Sequence, residues 1–299
     1  MKLFFKYIRI ILSTLRGLAL CVLYRLIPAK RISLTKREEK VTVSLTSYGR
    51  RVSKTLRYSL LSMLHQTVKP DRIVVWLDEQ EFSDDSIPGY LRKYIVKYGI
   101  DVRFCPNIRS YKKLIPSLKA FPSDMIVTID DDLVYDRHLI ELLYMRHCQE
   151  PRAIICSNAH EPRFDAHGIL PYKRWNLNTP FSNEILIFPL GGSGTLYPPR
   201  SLHHNVFDEE VFMKLAPAAD DIWFWVMGLR NGTESVVLGH SIMYMEIDLI
   251  HQFFHKQSSL KGANLGANQN DVQLQLVMSH YGMISEREFL ENLLISGKN

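Results

Sequence analysis

From residue 41 onward, short apolar runs of strand length alternate with stretches of helical character, and no other feature restricts the fold as tightly. VTVSLTS (41–47) reads as a strand, Val52–Gln66 as a helix, RIVVWLD (72–78) as a strand and Tyr90–Tyr98 as a helix. DVRF (101–104) follows as a strand, Tyr111–Phe121 as a helix with Pro116 inside it, and MIVTID (125–130) as a strand. Alternation at this spacing builds βαβ units, so the expected fold is α/β with a mostly parallel central sheet flanked by helices. Such sheets bind ligands beyond the carboxyl ends of their strands. Thr46, Ser47, Tyr48 and Arg50 fall there after the first strand, Asp78 and Glu79 after the second, and Asp130, Asp131 and Asp132 after the fourth. Beyond residue 150 the alternation lapses, and Pro and Gly become frequent between 161 and 200. Loops and short strands are expected there, the usual seat of substrate specificity.

The three consecutive acids deserve a physical reason. Adjacent carboxylates repel unless something neutralises them, and a divalent cation does so. Oxygen-only ligands favour Mg²⁺ or Mn²⁺, which take one or two protein carboxylates and complete their shell with water and phosphate oxygens. The competing reading is a solvated turn with helix-capping aspartates, which the strongly apolar strand entering the cluster makes less attractive.

A hydrophobic strand ending in D-x-D (Asp130-Asp131-Asp132), after a first strand ending in T-S-Y-x-R (Thr46 to Arg50), resembles the nucleotide-binding half of GT-A glycosyltransferases. SLLSMLHQTVKPDRIVVWLD (59–78), a helix followed by Gln-Thr, Pro and a strand, adds to the resemblance, which covers roughly residues 41–255. It implies that Thr46, Tyr48, Arg50 and Asp78 line the nucleobase pocket. It also implies that Asp130 faces the ribose or a metal, with Asp131 beside it at the donor, and that Asp132 is the main metal ligand. Arg109, Lys112 and Lys113 precede the cluster and are candidates to meet the diphosphate, lysine serving phosphate as a point charge.

EILIFPLGGSGTLYPP (184–199) places a Gly-rich turn after an apolar run, without the G-K-[ST] of a phosphate-binding loop. In the resemblance such a segment, Gly192 included, floors the place where donor sugar and acceptor meet; the plain alternative is a tight turn. LAPAADDIWFWVMGLRNG (215–232) sets Asp220 and Asp221 at the start of a helix expected to bury Ile222, Trp223, Trp225 and Val226. Capping explains one of the two acids and not the second. The family pattern has an acidic pair here, usually Glu-Asp, whose second member binds or deprotonates the acceptor hydroxyl. The Asp-Asp of this chain leaves the base open between Asp220 and Asp221. IHQFFHKQSS (250–259) offers His251 and His255, either of which would complete the metal site by the same resemblance; His280 is a weaker candidate.

Charge separates a first segment from the rest. Residues 1–40 hold 10 Lys+Arg against 2 Asp+Glu, while residues 41–299 hold 27 against 29. The net charge of +6 therefore resides in the N-terminal segment, and a nucleic-acid footprint over the body is not expected. Lys2, Lys6, Arg9, Ser13 and Arg16 recur at helical spacing beside Phe4, Phe5, Ile8, Ile11, Leu12, Leu15 and Leu18. Residues 1–38 thus read as a basic amphipathic helix making peripheral contact with an anionic membrane, with a signal anchor through 10–27 or self-packing as alternatives. Residues 39–299 form the catalytic domain, divided into a nucleotide-binding half (39–150) and an acceptor-binding half (151–299). Cys21, Cys105, Cys148 and Cys156 contain no C-x-x-C pair, which suggests neither a zinc site nor a disulfide framework.

The expected activity is metal-dependent transfer from a nucleotide-sugar donor such as a UDP-hexose to a glycan or lipid-linked glycan at the cytoplasmic face of the cell membrane, with inversion of the anomeric centre expected and retention the alternative, since related enzymes with similar motifs retain. The alternatives are a sugar nucleotidyltransferase and a non-catalytic, membrane-associated glycan-binding protein. The first of these would carry a Gly-rich, basic loop after the first strand, and TSYGRR has a single glycine.

Overall fold

The computed structural model describes residues 17, 19–29, 32, 37, 39–165, 168–177, 187–239, 244–246 and 269–283. Four strands in the order of their pairing make a parallel block: β3 (Asp101–Cys105), β2 (Arg72–Asp78), β1 (Val41–Thr46) and β4 (Met125–Thr128). β1 sits between two partners with both faces covered, which is why VTVSLT is buried along nearly its whole length instead of alternating with solvent. Val43, Leu45, Ile73, Val75, Leu77 and Val127 point to one face and pack with Leu56, Leu60, Met63 and Leu91. Val74, Trp76 and Ile126 point to the other, where Tyr111, Phe212 and Trp223 cover them. The period-2 alternation within each strand thus feeds two separate cores. Polar residues of β1 are satisfied inside: Ser44 Oγ lies 2.7 Å from Ser117 Oγ, and the Thr42 hydroxyl donates to Asp124 at 2.7 Å.

The sheet continues through three more strands, and here it departs from parallel. β12 (Thr195–Tyr197) is antiparallel to both its neighbours, β4 and β6 (Ile154–Cys156), and β13 (Ser235–Val237) then runs parallel to β6. The register sets Thr195 opposite Thr128. Because β12 runs against β4, the residues just before it, Gly191–Ser193, arrive at the carboxyl end of β4. β5 (Leu133–Tyr135) follows the acidic triplet and pairs antiparallel with β14 (Tyr244–Glu246). β7 (Ala159–Glu161) pairs with β10 (Asn176–Leu177) and β11 (Phe188–Pro189), and β8 (Phe164–Asp165) with β9 (Gly168–Ile169).

The expected helix over 52–66 is two, Gly49–Lys54 and Leu56–Leu64, meeting at Thr55. That over 111–121 is also divided, into a 3₁₀ turn, Arg109–Lys113, and a helix, Ile115–Ala120. Pro116 is the cause: lacking an N–H, it is accommodated in a first helical turn and not in an interior. The strand expected to reach residue 130 stops at Thr128, which leaves all three acids in the turn beyond it. Asp220–Arg230 is a helix buried from Ile222 to Leu229.

Of the N-terminal segment, residues 19–26 are helical and bring Cys21 and Tyr24 into the first core. The basic stripe from Lys2 to Arg16 lies outside the described residues. Among those described, no helix is long and apolar enough to cross a membrane.

Candidate active site

The acidic triplet is not one uniform patch. Asp131 points inward: its side chain is 3% exposed, one oxygen accepts from the Ser47 hydroxyl and the other from Arg51 at 2.8 Å. The second arm of the same guanidinium reaches Asp132, so Arg51 spans two neighbouring carboxylates. Burial, resisted by Arg51 and Ser47, pushes the Asp131 carboxyl up to about 7. Asp130 faces the other way and keeps 42% of its side chain exposed, the most open of the three; Asp132 keeps 12%.

Asp130 meets the second half of the chain. Its backbone N–H donates to the Tyr135 hydroxyl at 2.7 Å, and that hydroxyl donates to the carbonyl of Gly192. A Cβ built on Gly192 would lie 2.0 Å from Asp130 Oδ2, and one on Gly191 would lie 2.7 Å from Asp221 Oδ1. Two consecutive glycines are therefore required so that backbone, with nothing attached, can slide between two carboxylates. Thr128 fixes the turn by donating to the Gly191 carbonyl at 2.9 Å, and the Gly191 N–H donates to Asp221 at 3.2 Å.

Lys113 closes the cluster. Its ammonium is 3.1 Å from Asp130 Oδ1 and 3.1 Å from Asp220 Oδ2, the second a charge contact and not an aligned hydrogen bond. Burial alone would lower the lysine's pKa, but Asp130, Asp220 and Asp221 outweigh it and hold it well above its ordinary value. The short 3₁₀ turn explains how it gets there, since Tyr111, two residues earlier, stacks on Phe212 at 4.0 Å and donates to the Ala216 carbonyl at 2.7 Å. That loop is also held from behind by Gln273, which accepts from the Ala218 N–H at 2.8 Å.

Asp220 and Asp221 are adjacent yet differ in surroundings. Asp220 is buried against the lysine, whereas the Asp221 carboxyl has the Gly191 N–H as its donor. Burial first, and then repulsion from Asp220, push Asp221 up to about 7. A carboxylate with that affinity takes a proton readily near neutral pH and yields it again.

The residues expected at the nucleobase lie at the carboxyl ends of β1 and β2. Thr46 donates to the Trp76 carbonyl at 2.8 Å, and buried Asp78 accepts from the Gln80 N–H at 2.9 Å. Tyr48 is 48% exposed, with the Arg51 guanidinium 5.3 Å from its ring centroid, and Arg50 is exposed. Arg109 sits at φ 54° and donates to the Pro217 carbonyl at 3.3 Å, and Lys112 is buried and donates to Asn107 at 2.9 Å. Lys113, expected at the diphosphate, lies between Asp130 and Asp220 with 7% of its side chain exposed. His251 and His255 lie outside the described residues, and His280 is the last residue of the Gln269–His280 helix. Arg51 and Tyr135 are not among the expected site residues, and Ser47 is expected at the strand end without the partner it has here. The signal for Arg51 was its place beside Arg50 in a helix that begins at Gly49, which turns the second arginine, not the first, toward the acids.

Among the described residues, no three His, Cys, Asp or Glu side chains converge to hold a metal ion. Asp130 and Asp132, paired with Lys113 and Arg51 respectively, are the acids of the triplet that could turn to a cation, and two carboxylates is a number that magnesium or manganese commonly takes from protein. Asp131 is turned away to Ser47 and Arg51.

Comparison with known proteins adds the family. The model of glycosyl transferase family 2 matches residues 42–209, more than half of the chain. Among solved structures, S. aureus TarS 1–349 overlaps at 16% identity and a TM-score of 0.47, covering 69% of this chain and 59% of that one. The structure titled as the same TarS fragment in complex with UDP overlaps at 15% identity and a TM-score of 0.46, with the same coverage. The chain thus spans under two thirds of the length of these relatives. No curated protein matches it. The chain, with its α/β sheet, its acid-bearing strand end and a family match over residues 42–209, belongs to glycosyl transferase family 2.

Proposed function

We propose that this glycosyltransferase moves a sugar, a hexose from a uridine diphosphate donor, to a cell-surface glycan or lipid-linked acceptor at the cytoplasmic face of the cell membrane. The observation that carries the reading is Lys113, 3.1 Å from both Asp130 and Asp220. It joins the acids at the end of β4 to the acids of the second half in one cluster, where a donor's leaving group and an acceptor hydroxyl have to meet.

Charge supports a cation in the donor complex. Asp130, Asp131, Asp132, Asp220 and Asp221 surround Arg51 and Lys113, five carboxyl groups, of which Asp131 and Asp221 are raised to about 7, against two positive charges, before a diphosphate adds its own negative charge. Asp130 and Asp132 would hold Mn²⁺ or Mg²⁺, which would supply Lewis-acid stabilisation to the departing diphosphate. Arg51 would act as a positioning residue, pinning Asp132 to the sealed Asp131 so that its carboxylate is held in one orientation. Thr46, Tyr48, Arg50 and Asp78 would face the base and ribose, and Arg109 the phosphates. Gly191 and Gly192 would floor the sugar site.

Asp221 is the better of the two acids for the base. Asp220 is neutralised by Lys113, while Asp221 has a proton affinity near neutrality and lies at the glycine floor. Asp221 would take the acceptor hydroxyl's proton as the oxygen bonds to the anomeric carbon. The bond from that carbon to the diphosphate oxygen breaks, and its electron pair leaves with the diphosphate. Attack opposite the leaving group inverts the anomeric configuration.

The test is donor hydrolysis and transfer across a panel of nucleotide sugars with Mn²⁺. Hydrolysis that Asp132→Ala abolishes supports transfer chemistry. Release of pyrophosphate from a nucleoside triphosphate would identify a nucleotidyltransferase instead, and glycan binding without turnover a binding protein.

A further inference from the structure

The helical residues 19–26 carry two apolar stripes where a surface helix ordinarily carries one. The inner stripe, Leu20, Cys21 and Tyr24, packs into the first core. Tyr24 stacks on His65 with ring centroids 4.6 Å apart, and His65 Nε2 lies 3.1 Å from the Ile27 carbonyl oxygen, so the helix is fastened to the body at the end of Leu56–Leu64. The outer stripe is Val22, Leu23 and Leu26, continued by Ile27 in the bend just past the helix; Leu26 is 75% exposed and Val22 58%. Among the described residues ten large hydrophobic side chains are exposed, and these four lie within six consecutive positions. Scattered apolar residues need no explanation, but a contiguous patch marks a contact surface.

We infer that Val22, Leu23, Leu26 and Ile27 seat the folded enzyme on the surface of an anionic lipid bilayer. Charge names the occupant: residues 1–40 carry ten Lys and Arg against two Glu, Arg25 is exposed on the same helix, and the remainder of the chain is close to neutral. Apolar side chains entering the acyl boundary beside lysines and arginines that meet anionic headgroups are the ordinary means of interfacial attachment. The new element is rigidity. Because Tyr24 and Cys21 are embedded in the body, the patch is a fixed part of the enzyme's surface and not a tether, so the enzyme meets the bilayer in one attitude. This inference rests on the membrane placement in the proposed function and not on the transfer chemistry: its failure would remove that placement and leave the chemistry standing.

The test is co-sedimentation of the full chain with vesicles of phosphatidylcholine alone and of phosphatidylcholine with phosphatidylglycerol. The wild-type chain is expected to pellet with the anionic vesicles and to be released by high salt. Leu23→Glu combined with Leu26→Glu is expected to cut the bound fraction by about tenfold or more, with melting temperature and donor hydrolysis unchanged. Should that variant melt early, Val22→Ser with Leu26→Ser is expected to give the same loss. Failure of the wild type to pellet, or equal pelleting of the variants, would overturn the inference. So would a concentration-dependent dimer that the same substitutions abolish, which would assign the patch to a second copy of the chain.

Discussion

The two halves of the chain deliver acids to the same corner by different means, and hold them differently once there. The first half places Asp130–Asp132 by the end of a parallel strand, and the guanidinium of Arg51 and the ammonium of Lys113 lock those charges in place. The second half places Asp221 by the start of a helix and a turn of two glycines, and leaves its carboxyl against a neutral backbone N–H. Asp130 and Asp132, each held by a cation, are suited to holding a ligand; Asp131 and Asp221 are both raised to about 7, but Asp131 is sealed behind Arg51 and Ser47, which leaves Asp221 as the acid suited to exchanging a proton. The contrast divides binding from proton transfer within a single cluster.

Asp221→Asn probes the division hardest. It should lower kcat for transfer by about 10²–10⁴ and leave donor affinity near the wild-type value, measured by initial rates alongside nucleotide titration. A comparable loss of donor affinity would place Asp221 with the binding acids. Lys113→Met comes next, because it strands Asp130 and Asp220 without their shared cation. Chemical denaturation should show a loss of about 3–5 kcal/mol, and an unchanged midpoint would mean that the two halves are not joined through this side chain.

Gly192→Ala introduces a Cβ at 2.0 Å from an Asp130 oxygen, and the turn cannot yield far because Tyr135 and Thr128 hold its carbonyls. Its cost should be about 1–3 kcal/mol in stability, with a fall in transfer rate exceeding that of Gly239→Ala, where the added carbon meets nothing within 4 Å. The smallest effect sharpens the comparison by pH. A base must be ionised to accept a proton, so with Asp221 raised to about 7, kcat/KM should climb as pH rises through 7 and fall about tenfold for each unit below it. Donor binding, which the proposed function assigns to Asp130 and Asp132, should not follow that curve, and a shared profile would erase the distinction between the halves.

The same contrast governs what could be read from residues alone. The parallel half was legible because each strand is a bounded apolar run, and because a strand end is where the acids fall whatever the detailed packing. What residues alone leave open there is phase. Arg50 and Arg51 are chemically equivalent on paper, and only the helix start at Gly49 decides which one turns toward Asp131 and Asp132. Likewise Asp131 looks like its two neighbours until the turn after β4 sends it inward to Ser47. In the second half the motifs were visible but their meeting was not. Nothing in GGSG or ADDI states that β12 runs antiparallel between β4 and β6, and that insertion is what brings glycines and acids together. Lys113 reads as a candidate phosphate contact from its place before the acids, and the sequence does not show that it also joins Asp130 to Asp220. Its burial follows from a 3₁₀ turn that Pro116 and Tyr111 define jointly.

The ladder pairs on both sides of β12 have an engineering consequence. The glycine turn is clamped from below by hydrogen bonds to two neighbouring strands, so its position does not depend on the lengths of the irregular connections that precede it. The connection between β6 and β12 also lends Trp175 and Phe188 to the second core against Trp225, so a replacement cassette has to keep those two rings; under the proposed function this stretch is where a different recipient molecule would be selected.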